Sequence, residues 1–275
     1  MKAVTDDIRR SSVLETYEDD LKVEGTVRSG ARLCVVGDLT VRGDIEDAHV
    51  EAGGSVVIKG GFIGTGRGKV ACGGTFSAAF VQGQRVEAAG DVEIGNAVVS
   101  GTIFSRGDVR MGSEGEGAIV GGAVHALGNV EASVLGSRRP VQTRIEVGVD
   151  PMLALRIDAL EREAMELTKR KIGFLKDMAT MANRPGSGAD EGPVLDMKTA
   201  VDAIEAHIVA AGEEIIEARR TTSLNKRAVV SVSVASYPPL EISICFSRLL
   251  SDSTTGPVVF KLVEDRVVCG KWDRR

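Results

Sequence analysis

The chain has 275 residues, 43% of them apolar but only 4% aromatic, and 33 are glycine. That is enough for one large domain with a thin core, and too few rings for an aromatic-rich interior. Lys and Arg number 34 against 39 Asp and Glu, a net charge of −5, which argues against a nucleic-acid binder, whose phosphate contacts need a basic surface.

No apolar run approaches the ~20 residues that span a bilayer. The first twenty residues lack the apolar stretch of a secretory signal. The four cysteines, Cys34, Cys72, Cys245 and Cys269, form no C-x-x-C pair and no zinc spacing, so they read as free, packed thiols in a reducing compartment. The expectation is a cytoplasmic protein with no membrane insertion.

In chain order, residues 1–20 read as an N-terminal tail and residues 21–149 as a repeat. Of the 33 glycines, 25 lie between Gly25 and Gly136, and no proline precedes Pro140. One glycine per repeat, Gly37, Gly54, Gly74, Gly90, Gly107 and Gly128, aligns the segment. Four residues before it stand Leu33, Val50, Val70, Val86, Ile103 and Val124. Two before it stand Val35, Ala52, Cys72, Ala88, Ser105 and Ala126. Two after it stand Leu39, Val56, Phe76, Val92, Val109 and Val130. Four after it stand Val41, Ile58, Ala78, Ile94, Met111 and Ala132. The residue just after the glycine is always polar: Asp38, Ser55, Thr75, Asp91, Asp108, Asn129.

Alternation with period two on both sides of a glycine predicts two short strands meeting at a bend, where glycine's tolerance of positive φ is useful. A further apolar cluster, from Ile45 and Phe62 to Val134-Leu135, predicts a third side to each coil. One coil cannot bury its inner face alone, so the coils stack into a parallel β-solenoid. Strict hexapeptides, the signature of left-handed acyltransferase solenoids, are absent. The irregular spacing favours a right-handed β-helix.

Asp150-Pro151 is a helix start. Residues 150–225 then read as a long antiparallel coiled-coil hairpin. One seam runs through Leu153, Ile157, Leu160, Ala164, Leu167, Lys171, Phe174, Met178 and Met181. The other runs through Met197, Val201, Ile204, Ile208, Ala211, Ile215 and Ala218, on to Thr222 and Asn225. The loop is Arg184 to Pro193, and the arms are 151–182 and 194–225. Residues 226–275 return to β, with Tyr237-Pro238-Pro239 as a turn. They are too few for a core of their own and are expected to complete the solenoid by packing on its last coils.

Several runs resemble the flagellar assembly protein A (FapA-like) family. They are Gly115-Glu116-Gly117-Ala118-Ile119-Val120-Gly121-Gly122, Leu135-Gly136-Ser137, Thr143 to Pro151, Val50 to Gly54, Ile58 to Gly64, and Tyr237 to Ile242. The resemblance spans roughly residues 21–270. It implies a short form without the family's usual N-terminal domain. It also implies a bacterial cytoplasmic scaffold whose protein partners include a sugar-phosphotransferase IIA protein or flagellar and polar proteins. A homo-oligomer stays open.

For chemistry, His49 and His125 fall at different offsets from their glycines and His207 lies off its helical seam, so no histidine column forms. Gly64-Thr65-Gly66-Arg67-Gly68 lacks the strand–loop–helix context of a phosphate loop and reads as a corner turn. Asp38, Asp91 and Asp108 give one carboxylate per coil, too few for calcium, and read as corner hydrogen-bonding groups. No catalytic, cofactor-binding or metal residue is assigned. The expectation is a non-enzymatic scaffold or adaptor. The alternatives are a solenoid acyltransferase and a bactofilin-like self-assembling cytoskeletal protein.

Overall fold

The computed structural model describes residues 2–9, 14–112, 117–182, 191–221 and 224–271. They divide into two compact units, Met1–Pro151 with Ser223–Arg275, and Met152–Thr222.

The first unit is a β-solenoid. From Glu15–Tyr17 to Thr143–Val147 the chain passes eight times through one parallel sheet (sheet B), making about seven turns. Between passes it runs through a second sheet (sheet A), whose longer strands bend at a register shift, as between Ala78 and Phe80. Each coil therefore has three short sides. Stacking is in register: Leu33, Val50, Val70, Val86, Ile103, Val124, Ile145 and Ile242 are successive partners in sheet B. No member of the four apolar columns is more than 7% exposed. The third side closes the core with Ile45, Phe62, Val81, Val98, Ile119 and Leu135, all at 0% exposure. The β-branched residues that dominate these columns suit a pleated, one-face-buried strand.

The repeat glycines do not serve the purpose expected of them. None of Gly37, Gly54, Gly74, Gly90, Gly107 and Gly128 has a positive φ. They make room instead. With one exception, the polar residue after the glycine position points along the stack and accepts the backbone N–H of its counterpart one coil on. Asp20 Oδ1 takes Asp38 N–H at 2.9 Å, Asp38 Oδ1 takes Ser55 at 2.6 Å, and Ser55 Oγ takes Thr75 at 3.1 Å. Asp91 and Asp108 do the same for Asp108 and Asn129, both at 2.8 Å. A Cβ on the glycine of the receiving coil would stand 2.2 Å from the acceptor oxygen at Gly37, 2.1 Å at Gly54, 2.0 Å at Gly107 and 2.1 Å at Gly128. Thr75 is the break in the series. Its hydroxyl turns back to Ser55 Oγ at 3.2 Å, and a Cβ on Gly90 would meet nothing closer than 3.1 Å. A second corner repeats the device through Asp7, Thr26 and Asp44, which accept Thr26, Asp44 and Gly61 N–H in turn.

The described residues of 1–20, expected as a tail, contribute strands to the stack. Lys2–Val4 pairs in parallel with Leu21–Val23, Glu15–Tyr17 pairs with Arg32–Val35, and Ile8 bridges Val27. At the other end, Val229–Ser236 adds in parallel to Val130–Leu135, and Leu240–Ile244 to Thr143–Val147. Asn129 Oδ1 accepts Val229 N–H at 3.0 Å, so the corner series carries across the insertion. The direction then reverses. Ser247–Ser251 runs antiparallel to Leu240–Ile244, Val258–Val263 to Val229–Ser236, and Arg266–Lys271 to Val258–Val263.

The second unit holds two helices, α1 (Pro151–Ala182) and α2 (Glu191–Thr221). Between residues 161 and 180 of α1, only Ala164, Leu167, Lys171, Phe174 and Met178 are less than exposed. On α2 the seam residues Val201, Ile204 and Ala211 are buried, and Met197, Ile208, Ile215 and Ala218 are partly so. Arg156 pairs with Glu214, and Lys171 Nζ lies 3.1 Å from Glu205. An early residue of α1 thus meets a late one of α2. The second arm starts at Glu191, earlier than 194. It places Pro193 in the first turn, where a missing N–H removes no helical bond. Asn225 lies past the helix. Its N–H bonds to Gly148 O at 2.9 Å and its side chain to Leu127 O at 3.2 Å. Thr222 and most of the expected loop fall outside the described residues.

If the glycines exist to admit the acceptor side chains, Gly54→Ala should destabilise the chain by about 2 kcal/mol or more, and Gly90→Ala by well under half of that. Asp38→Ala combined with Gly54→Ala should cost less than the sum of the single changes, because one clash partner is gone. Thermal melting of the four proteins is the check. Equal losses for the two glycines would contradict the account.

Candidate functional surfaces

The glycine-rich corner, read from sequence as a turn, closes around a carboxylate. Asp47 sits at the end of a third side, at φ 27°. It accepts Thr65 N–H at 2.9 Å, Thr65 Oγ1–H at 2.9 Å, Arg67 N–H at 3.2 Å and the Gln84 side-chain N–H at 2.6 Å. Gly64 and Gly66 have φ of 153° and 91°, which lets successive N–H groups converge on one point as in an anion nest. The nest is filled by the chain's own carboxylate. Burial opposes ionisation of Asp47. The donors from Gln84, Thr65 and Arg67 together outweigh it and hold the pKa at about 2, against an ordinary value of 3.8.

On the outer face of sheet B, in-register stacking places Glu87, Phe104, His125 and Glu146 in one column. The rings of Phe104 and His125 stack 4.8 Å apart at 9°. The Arg85 guanidinium covers the other face of this stack, 4.6 Å from the Phe104 centroid. His125 Nδ1 lies 2.9 Å from Glu146 Oε2. Glu87 is gripped by Lys69 at 2.8 Å and Arg85 at 2.7 Å. Burial works against its ionisation, yet these two cations keep its carboxyl below the usual range. Further along, Glu241 lies between Arg144 at 3.2 Å and Arg248 at 2.9 Å. Alternating charge across neighbouring strands thus zips the outer face of this sheet.

His49 is one column away, in register with Arg32 and Lys69, so the two solenoid histidines do not meet. His207 is exposed on α2. A shallow groove of about 380 Å³ lies on sheet A, floored by Ser77, Ala79 and Gly95 and bordered by Lys59 and Arg110. It and the His125–Glu146 pair are on different sheets and form no common site. Asp38, Asp91 and Asp108 face successive backbone amides at the corner, not one another. Among the described residues no cluster of three or more His, Cys, Asp or Glu is placed to hold a metal ion, and no helix is long and apolar enough to cross a membrane. The cysteines are free. Burial pushes the Cys72 thiol to about 11, and its S–H faces the carbonyls of Gly74 and Thr75 at 3.6 Å.

What the sequence reading missed is the Phe104–His125 stack and the Asp47 nest. Both depend on residues 21 and 18 positions apart meeting through coil stacking. For the stack the signal was Phe104 and His125 at the same offset from Gly107 and Gly128; the nest has no such signal, because Asp47, Thr65 and Gln84 fall at different offsets from their glycines.

Residues 16–267 match the family model described as the Flagellar Assembly Protein A beta solenoid domain. No curated protein matches the chain, and no solved structure does.

Asp47 makes a pH prediction. Its folded pKa lies below the unfolded one, so its stabilisation is complete above about pH 4 and is lost as pH falls toward 2. Asp47→Asn should therefore be less stable than the parent at pH 6, by at most about 2 kcal/mol. The gap should close on acidification to pH 2. A gap that is constant from pH 6 to pH 2 would show that the carboxylate is not what the nest holds.

Proposed function

We propose that this chain, which belongs to the flagellar assembly protein A β-solenoid family, is a non-enzymatic cytoplasmic scaffold that binds protein partners through its helical insertion, in flagellar assembly or its regulation. The observation that carries the reading is the continuity of the solenoid across that insertion. Thr143–Val147 pairs residue for residue with Leu240–Ile244, as any two consecutive coils do. The two helices, 32 and 31 residues long, add no rung. About 45 Å of paired helix that supplies no strand to the solenoid is best explained by what it binds.

In this reading the insertion is a coiled-coil hairpin and the solenoid winds to the right. The matched seams, the antiparallel ion pairs and the exposed positions between seam residues support a coiled-coil hairpin. The irregular coil lengths support right-handed winding. The free thiols support a reducing compartment. Partners are proteins of the flagellar or polar machinery, or a phosphotransferase IIA protein. The cytoskeletal reading is disfavoured by the antiparallel strands at the C-terminal end, which stop the parallel stacking that end-to-end filaments would extend. The acyltransferase reading is disfavoured by the separation of His125 from the groove on sheet A.

The test is capture of partners from the native cell. The full chain should retain flagellar or polar proteins. A version with residues 152–222 replaced by a short flexible linker should lose them, while the solenoid melts at a temperature within a few degrees of the parent. Identical capture by both versions would place binding on the solenoid. Micromolar binding of acetyl-coenzyme A by calorimetry, lost in His125→Ala, would favour the enzyme.

A further inference from the structure

Six large apolar side chains of the helical unit face solvent: Met165 (59% exposed), Ile172 (48%), Leu175 (45%), Leu195 (63%), Val209 (56%) and Ile216 (54%). They are not scattered. Met165, Ile172 and Leu175 each follow a seam residue of α1, namely Ala164, Lys171 and Phe174. Val209 and Ile216 each follow a seam residue of α2, Ile208 and Ile215, and Leu195 lies two heptads before Val209. Arg156 and Glu214, which precede the seam residues Ile157 and Ile215, pair with each other across the helices. Residues that precede the seam thus share one side of an antiparallel pair, and residues that follow it share the other. All six apolar residues fall on that second side.

We propose that this side is a docking surface for the same side of a second copy of this chain. The inference rests on the hairpin reading above, and charge and size name the occupant. Beyond the apolar stripe, α1 carries a basic row at heptad spacing, Arg162, Lys169 (bonded to Glu166 of its own helix at 2.7 Å) and Lys176; α2 carries Glu213 beyond its stripe, and Asp202, which follows the seam residue Val201, within it. Registering the helices on the Arg156–Glu214 and Lys171–Glu205 pairs sets Arg162 level with Glu213 and Lys176 within a turn of Asp202. Two hairpins facing each other about a two-fold axis along their length place α1 of one copy on α2 of the other. Arg162 and Lys176 of each copy then meet Glu213 and Asp202 of the other. The arrangement with α1 on α1 sets the basic row against itself. The stripe extends over about 21 residues of helix, or ~32 Å. On a layer two helices wide this buries roughly 600 Å² per copy, the low end of a specific interface. The product is a reversible four-helix dimer, isologous as a two-fold contact must be.

Sedimentation of the full chain across roughly 1 to 100 µM tests it. The expected result is a concentration-dependent monomer–dimer equilibrium. Ile172→Asp with Val209→Asp, both at exposed positions, should weaken the dimer more than tenfold while leaving the helical circular-dichroism signal intact. Lys176→Glu and Asp202→Lys should each weaken it by about threefold, and the two together should restore it. A full chain that stays monomeric throughout, or a dimer unmoved by the two aspartates, overturns the proposal. Failure of the charge exchange to restore affinity overturns the α1-on-α2 arrangement. Partner capture by the monomeric double variant is read separately, so loss of self-docking and loss of the scaffold role are distinguishable.

Discussion

The coils of this solenoid have a corner where a backbone N–H leaves the sheet and must find an acceptor. At all but one of the corners described above, Thr75 being the break, the residue that solves this is supplied by the coil before it. Asp20, Asp38, Ser55, Asp91, Asp108 and Asn129 each reach one rung along the stack. A carboxylate accepting a backbone N–H makes a stronger bond than a neutral pair does. The geometry brings the oxygen so close to the next corner that a side chain there would collide with it. At Gly37, Gly54, Gly107 and Gly128 glycine is then a steric requirement set by the neighbouring coil. Hydrophobic columns make the coils stick, but apolar contacts have no direction. The corner bonds fix which residue sits above which.

At both ends of the described stack another residue stands at the glycine position. Next to Leu21–Val23 it is Asp19. At the final rung the position is Ala228, where the chain arrives from the helices, and Asn129 still reaches Val229 at 3.0 Å. Side-chain acceptors of this series thus stand on both sides of the insertion. Antiparallel pairing then takes over, and the stacking direction that could template another coil is lost.

The columns were legible because a strand alternates with period two and a solenoid repeats at fixed offsets. Val50, Val92 and Val124 could be placed in the core from their distance to a glycine alone. The helices α1 and α2 were legible from apolar spacing with a longer period, and Lys171, the one charged residue in that spacing on α1, lies 3.1 Å from Glu205. Three things were not legible. The first coil lacks the glycine that marked the others, so residues 1–20 read as a tail. The glycines read as bends because sequence cannot tell positive φ from close approach, and only the neighbouring coil distinguishes them. Asp47 was passed over because its donors, Thr65, Arg67 and Gln84, belong to the next two coils.

Hydrogen exchange at the corners tests the central claim most directly. The amides of Asp38, Ser55, Asp108, Asn129 and Val229 lie at surface corners, where loop amides normally exchange fast. They are predicted to be protected to nearly the level of the strands. Asp91→Ala should accelerate exchange at Asp108 by tenfold or more while sparing Ser55, three coils away. Fast exchange at these corners in the parent chain, or an Asp108 amide indifferent to the loss of Asp91, would contradict the account.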